Sequence, residues 1–122
     1  MRRVIIESPY HGKVERNLRY LRACLRDSLL RGEAPFASHA IYAQPGVLDD
    51  HDPEQRRLGI EAGFAWWADA DSIVFYTDLG WSRGMTAAHD LAVQRVELFE
   101  FRTLGGEWSA KKCCGSRCCA KR

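Results

Sequence analysis

The sequence predicts an α/β protein: a small, doubly wound parallel sheet of about four strands in the order 2-1-3-4, with helices on both faces. Three observations carry this. Two short runs, Val4-Ile-Ile6 and Ile73-Val-Phe-Tyr76, are apolar through their middles, as strands covered on both faces are. Segments with helical periodicity alternate with them, which implies crossover connections. Each run then empties into a polar, glycine-containing loop, the usual place for a ligand in such sheets.

The 122 residues suffice for one domain with a core of its own. Hydrophobic residues make up 46% and charged residues 28%, the balance of a globular chain. No apolar run approaches the roughly 20 residues of a membrane span. The start, Met1-Arg-Arg, leads only into Val4-Ile-Ile6, too short for a secretion signal. A cytoplasmic location is therefore expected. The net charge of +2 conceals an asymmetry: residues 1–107 carry −3 and residues 108–122 carry +5. The body is no basic nucleic-acid binder, and any affinity for phosphate polymers would sit in the tail.

The first strand is expected at Arg3–Ser8, stopped by Pro9. The loop Ser8-Pro-Tyr-His-Gly12 combines a hydroxyl, a rigid turn residue, an aromatic and a glycine. These suit either ligand contact or plain turn chemistry. A helix follows from Val14 to Arg31, with Val14, Leu18, Leu21, Leu25 and Leu29 read as its apolar stripe and Gly32 as its C′ residue. Ala34–Ser38 reads as the second strand, with His39 and Tyr42 just beyond it. In the loop 43–52, Asp49, Asp50, His51 and Asp52 have the chemistry of a metal site. However, Asp52-Pro53-Glu54-Gln55 is also a helix start with Asp as cap and Pro at N1. The cap accounts for Asp52, so no metal is assigned, and no cofactor is called for.

The second helix is expected from Pro53 to Ala68, with Leu58, Ala62 and Ala65 inward and Gly59 and Gly63 allowing close packing. Adjacent Trp66 and Trp67 cannot face the same way. One belongs in the core and the other nearer the cleft or a partner subunit. Ser72–Tyr76 is the central strand. Asp78, Gly80, Trp81, Ser82 and Gly84 form its loop, and Ser82 caps a helix whose inner face is Met85, Ala88 and Ala92. Val96–Phe101 is expected as the last strand. In the order 2-1-3-4 the switch point lies between strands one and three, so Ser8, Pro9, Tyr10 and Gly12 face Asp78, Gly80, Trp81 and Ser82 across one crevice.

Ile6-Glu-Ser-Pro-Tyr-His-Gly12 with Asn17, then Ala34-Pro-Phe-Ala-Ser-His39, then Asp71, then Ser82-Arg-Gly-Met85, together resemble the nucleoside 2-deoxyribosyltransferase-like superfamily. Within it they look most like a small subgroup of bacterial and phage proteins. The resemblance covers about residues 3–104. It implies a nucleoside or nucleotide-like ligand at the switch point and, in active members, exchange or hydrolysis of the N-glycosidic bond through a Glu nucleophile early in the last helix. Family members are usually oligomers, which makes a homo-oligomer an open expectation. The resemblance carries Ser8, Pro9, Tyr10 and Gly12 over to the first ligand loop and finds Asp78, the candidate catalytic carboxylate, in the second; with the loops that converge on the crevice, the ligand site is expected at Ser8, Pro9, Tyr10, Gly12, His39, Gly80, Trp81, Ser82 and Gly84. The nucleophile does not carry over: its positions hold Met85, Thr86, Ala87 and Ala88. Glu7 and Glu61 are the other carboxylates with a route to the crevice. The alternatives are chemistry moved to another carboxylate, or a binding module without turnover.

Four of the five cysteines lie in the tail, as Cys113, Cys114, Cys118 and Cys119. Adjacent thiols diverge in regular structure, so this basic segment, 108–122, reads as a disordered terminus. Its rival readings are a zinc site or a redox-responsive segment. Cys24 reads as an inert buried thiol.

Overall fold

Ser72–Tyr76 is buried at every position and forms the inner strand β3 in a computed structural model of the protein that describes residues 1–106 and 108. Arg2–Glu7 is β1, Glu33–Phe36 is β2 and Phe99–Arg102 is β4. All pairings are parallel and the order is β2-β1-β3-β4, the expected one. β1 and β3 lie inside the sheet, which is why Val4–Ile6 and Ile73–Tyr76 are apolar and buried. β2 lies at an edge, so Pro35, with no N–H to give, is tolerated there.

Helix α1, Val14–Leu30, covers one face of the sheet. Tyr20, Leu21 and Cys24 pack there against Val4, Ile6, Val74 and Tyr76. The expected stripe is displaced by about one position: Leu29 is exposed, while Asn17, Tyr20, Cys24 and Ser28 are buried. Polar Asn17 and Ser28 can face inward because both are hydrogen-bonded, Asn17 Nδ2 to the carbonyls of Tyr10 and His11 and Ser28 Oγ to Glu33. Gly32 takes φ +86° and closes α1, as expected.

The other face holds a one-turn helix α2, Ser38–Ile41, then α3, Pro53–Ala65, and α4, Arg83–Gln94. Both expected caps form. Asp52 accepts from the Glu54 amide at 3.2 Å, and Ser82 accepts from the Met85 amide at 3.1 Å. Met85, Ala88 and Ala92 pack with Ile5, Ile73, Phe75 and Trp67. Trp67 is buried in a 3₁₀ turn, Trp66–Asp69, that replaces the expected end of the helix. Trp66 is half exposed and donates its indole N–H to the Tyr42 hydroxyl at 2.8 Å.

Two expectations fail here. The stripe Leu58, Ala62, Ala65 does not face the core: Leu58 is 54% exposed, and the buried residue of α3 is Gly63. A Cβ on Gly63 would lie 3.0 Å from the Ser38 Cβ, so α2 and α3 approach too closely there for a side chain. The last strand begins at Phe99 rather than Val96, because residues 92–97 form the C-terminal cap of α4. Val96 adopts φ 58°, its amide donates to Val93, and the Glu97 amide donates to Ala92. Leu104 and Trp108 pack on the α1 side, the indole 5.0 Å from the Tyr20 ring. Cys113, Cys114, Cys118 and Cys119 lie outside the described residues.

Candidate functional site

A cavity of about 420 Å³ lies on the α3–α4 face, a size suited to a small-molecule ligand. The chain reaches it from six directions. β1 and its loop supply Ile5, Glu7, Ser8, Tyr10 and His11. β2 supplies Phe36, and α2 with its end supplies Ser38, His39 and Tyr42. The 43–52 loop adds Leu48 and Asp50, and α3 adds Gln55, Arg56, Gly59, Gly63 and Phe64. The first turn of α4 contributes Ser82, Arg83, Gly84, Met85 and Ala87. A neighbouring hollow shares Tyr10, His11, Leu48, Asp50 and Gln55 with it.

Alternation along β1 sends Ile5 and Glu7 to this face and Val4 and Ile6 to the other. Glu7 is enclosed by protein while part of its surface stays open to the cavity, and its carboxyl group takes part in no hydrogen bond or ion pair among the described residues. Burial raises its carboxyl to about 8. It is therefore mostly a neutral acid at pH 7.

Tyr10 and His39 stack with ring centroids 4.5 Å apart and planes at 21°. Burial lowers His39 to about 4, which leaves the imidazole neutral. Asn17 holds the loop beneath Tyr10 through its two carbonyl contacts. His11 Nε2 lies 3.0 Å from Asp50 Oδ2, an ion-pair approach only, since that buried oxygen accepts no well-directed hydrogen bond. His11 and Asp50 thus tie the 43–52 loop to the loop after β1.

Of the residues picked out in the sequence, Ser8, Tyr10, His39, Ser82 and Gly84 line this cavity together. Pro9, Gly12, Gly80, Trp81 and Asp78 do not. Pro9 is buried behind Ser8, and Gly12 takes φ +91° in the turn into α1. Gly80 turns the chain at φ +86°, while Trp81 lies over Phe75 at 5.3 Å, beside His89 and Phe101. Asp78 accepts from the Tyr20 hydroxyl and from the amides of Leu104 and Gly105 at 2.9 to 3.0 Å. Its carboxylate is spent on joining α1 to the segment after β4. Glu61 points away from the cavity in an ion pair with Arg57. Of Met85, Thr86, Ala87 and Ala88, the positions to which the resemblance would bring a nucleophile, Met85 and Ala88 are buried in the core.

Sequence reasoning named Glu7 only as a carboxylate with a route to the crevice and did not assign Tyr42, Asp50, Arg56 or Arg83 to the site. Only Glu7 left a signal, a charged residue ending an otherwise apolar inner strand. The others arrive through a short helix and loop packing that carry no periodicity.

The fold and the site define a small doubly wound α/β domain with a ligand-sized cavity beside its switch point. Over residues 2–102 the sequence matches the family described as Domain of unknown function (DUF7768), and the chain belongs to that family. No curated protein matches it. Among the described residues no helix is long and apolar enough to cross a membrane.

Proposed function

We propose that this cavity binds a nucleoside or nucleotide-like small molecule. The observation that carries the reading is the pairing of a flat, neutral slab, the Tyr10–His39 stack, with a carboxyl group, Glu7, that has no partner among the described residues. A base needs a flat apolar surface for its face and polar groups for its edge. Ser8, Ser82 and the first turn of α4 add hydrogen-bonding groups, with free amides at the helix end for a sugar or phosphate oxygen. The adjoining hollow leaves room for a ligand in two parts. The family resemblance points to the same ligand class.

A test combines thermal shift with chromatography on a panel of nucleosides and deoxynucleoside monophosphates. At least one compound is expected to raise the melting temperature, and Tyr10→Ala to weaken its binding about tenfold or more, the scale of a lost stacking contact. If none shifts the melting temperature, the reading is wrong. The same samples address turnover. Glu7 beside the first turn of α4 favours that second reading, because α4 itself brings no carboxylate to the cavity. Released base would assign N-glycosidic chemistry to the site, and a melting shift without released base would define a binding module.

A further inference from the structure

Among the described residues, Glu7 is the acidic side chain of the cavity that meets no cationic or donor group. Asp50 has His11 at 3.0 Å. Glu7 projects from an inner strand between Ile5 and the first turn of α4, with Phe75 as its register neighbour on β3. The other titratable or charged groups around the cavity are Tyr10 and His11 on the β1 loop, His39 and Tyr42 at α2, Asp50 on the 43–52 loop, Arg56 on α3 and Arg83 on α4. None of them hydrogen-bonds to Glu7. Among residues that fold around a ligand, a carboxyl left this way is costly unless the ligand completes it.

We propose that Glu7 meets the ligand as a neutral carboxylic acid, donating a hydrogen bond to an acceptor atom on the edge of a ring stacked at Tyr10 and His39, and thereby selects for ligands that present such an acceptor. The inference rests on the reading of the cavity as a nucleoside-type site and names the chemistry of its recognition. A ring nitrogen or carbonyl with a lone pair fits. An edge that presents only N–H donors does not, because it meets the O–H donor with another donor. Burial, the sole cause of the raised Glu7 pKa, keeps the proton on at pH 7. Ionisation near pH 8 then removes the donor, and apparent affinity falls with the fraction still protonated.

The experiment titrates 2′-deoxyadenosine and 2′-deoxycytidine, whose bases keep one charge state between pH 6 and pH 9. Wild type, Glu7→Gln and Glu7→Leu are compared by calorimetry, with a melting curve on each variant. For the wild type, binding is expected to weaken about tenfold from pH 6 to pH 9, the loss that a donor ionising near 8 implies. Glu7→Gln, which donates at every pH, retains binding and loses that pH dependence. Glu7→Leu, which fills the space with no donor, loses binding about tenfold or more at pH 6. Wild-type binding that is flat across the range, or Glu7→Leu binding as tightly as wild type, overturns the role of Glu7 and leaves the site reading intact. Binding of neither nucleoside by the wild type at pH 6, with no shift across the wider panel, overturns the site reading itself.

Discussion

Asp78 joins three groups that are far apart in sequence: the Tyr20 hydroxyl on α1 and the amides of Leu104 and Gly105. Its own amide donates back to the Tyr20 oxygen at 2.8 Å. Burial, and the hydrogen bond to Asp78, push the Tyr20 hydroxyl well above its ordinary range, so it stays a donor at every working pH. Removing the carboxylate strands those donors, which costs about 2–4 kcal/mol. Asp78→Ala is therefore expected to lower the denaturant midpoint while leaving ligand affinity within about twofold of wild type. A folded Asp78→Ala protein that no longer binds would return Asp78 to the site. Glu7 and His39 show the opposite use of burial. Each is held neutral near pH 7, and neither is spent on holding elements together.

At the scale of elements, the end of α4 is strained by one side chain. Val96 sits at φ 58° in the position that usually carries glycine or asparagine, and it is 89% exposed. A β-branched residue there costs about 1–2 kcal/mol against a residue at home in that region. Val96→Asn is expected to stabilise the protein by about 1 kcal/mol, read as a melting temperature higher by several degrees. No change or a loss would show that the cap is not formed as described. The same cap moves the start of β4 three residues past the expected point. Alternation alone cannot show this, since Val96 and Leu98 fit a strand pattern as well as they fit a helix end. Helix α3 teaches a related lesson. Its periodicity offers Leu58, Ala62 and Ala65 as an inner face, yet the face turned inward carries Gly59, Gly63 and Phe64, because a cavity and not the sheet lies beneath it. A hydrophobic stripe reports which side is apolar only when the neighbour is a core.

For the whole molecule, the two outer strands are joined through a buried ion pair. Arg102 of β4 donates to both oxygens of Glu33 of β2 at 2.9 and 2.7 Å, and Ser28 of α1 donates to Glu33 at 2.8 Å. The Tyr76 hydroxyl accepts from Arg102 and donates to Asp27. The hydrogen bonds from Arg102 lead the causes that lower Glu33 to about 2. Because the folded pKa lies below the unfolded one, this stabilisation is complete above about 4.5 and drains away as pH falls towards 2. Glu33→Gln leaves buried Arg102 with the half-exposed Glu100, at 2.8 Å, as its remaining counter-charge and is expected to cost about 2–3 kcal/mol at pH 7. In urea melts the gap between the two proteins should narrow as pH drops below about 4. A gap that is the same at pH 3 and pH 7 would show that the pair contributes no such charge interaction. Sequence inspection had no means of pairing Glu33 with Arg102, which are 69 residues apart, since neither position breaks a local pattern.

What the sequence determined by itself was the layered scheme. Inner strands on both sides of the switch point had to be continuously apolar, so Val4–Ile6 and Ile73–Tyr76 could be read directly; the crossovers between them implied a parallel sheet, and a flavodoxin-like arrangement of it has the order 2-1-3-4. The caps at Asp52 and Ser82 were equally legible, because a cap is a bond between residues two or three apart. Tertiary structure alone decided which residues share the cavity. It separated Ser8, Tyr10, His39, Ser82 and Gly84 from Asp78, Gly80 and Trp81, brought in Tyr42, Asp50 and Arg56 from a short helix, a loop and α3, and gave Glu7 an enclosed place with no partner among the described residues. A cavity is the gap left where several elements fail to touch. Its lining depends on the separation and tilt of all of them at once, and local residue spacing encodes neither.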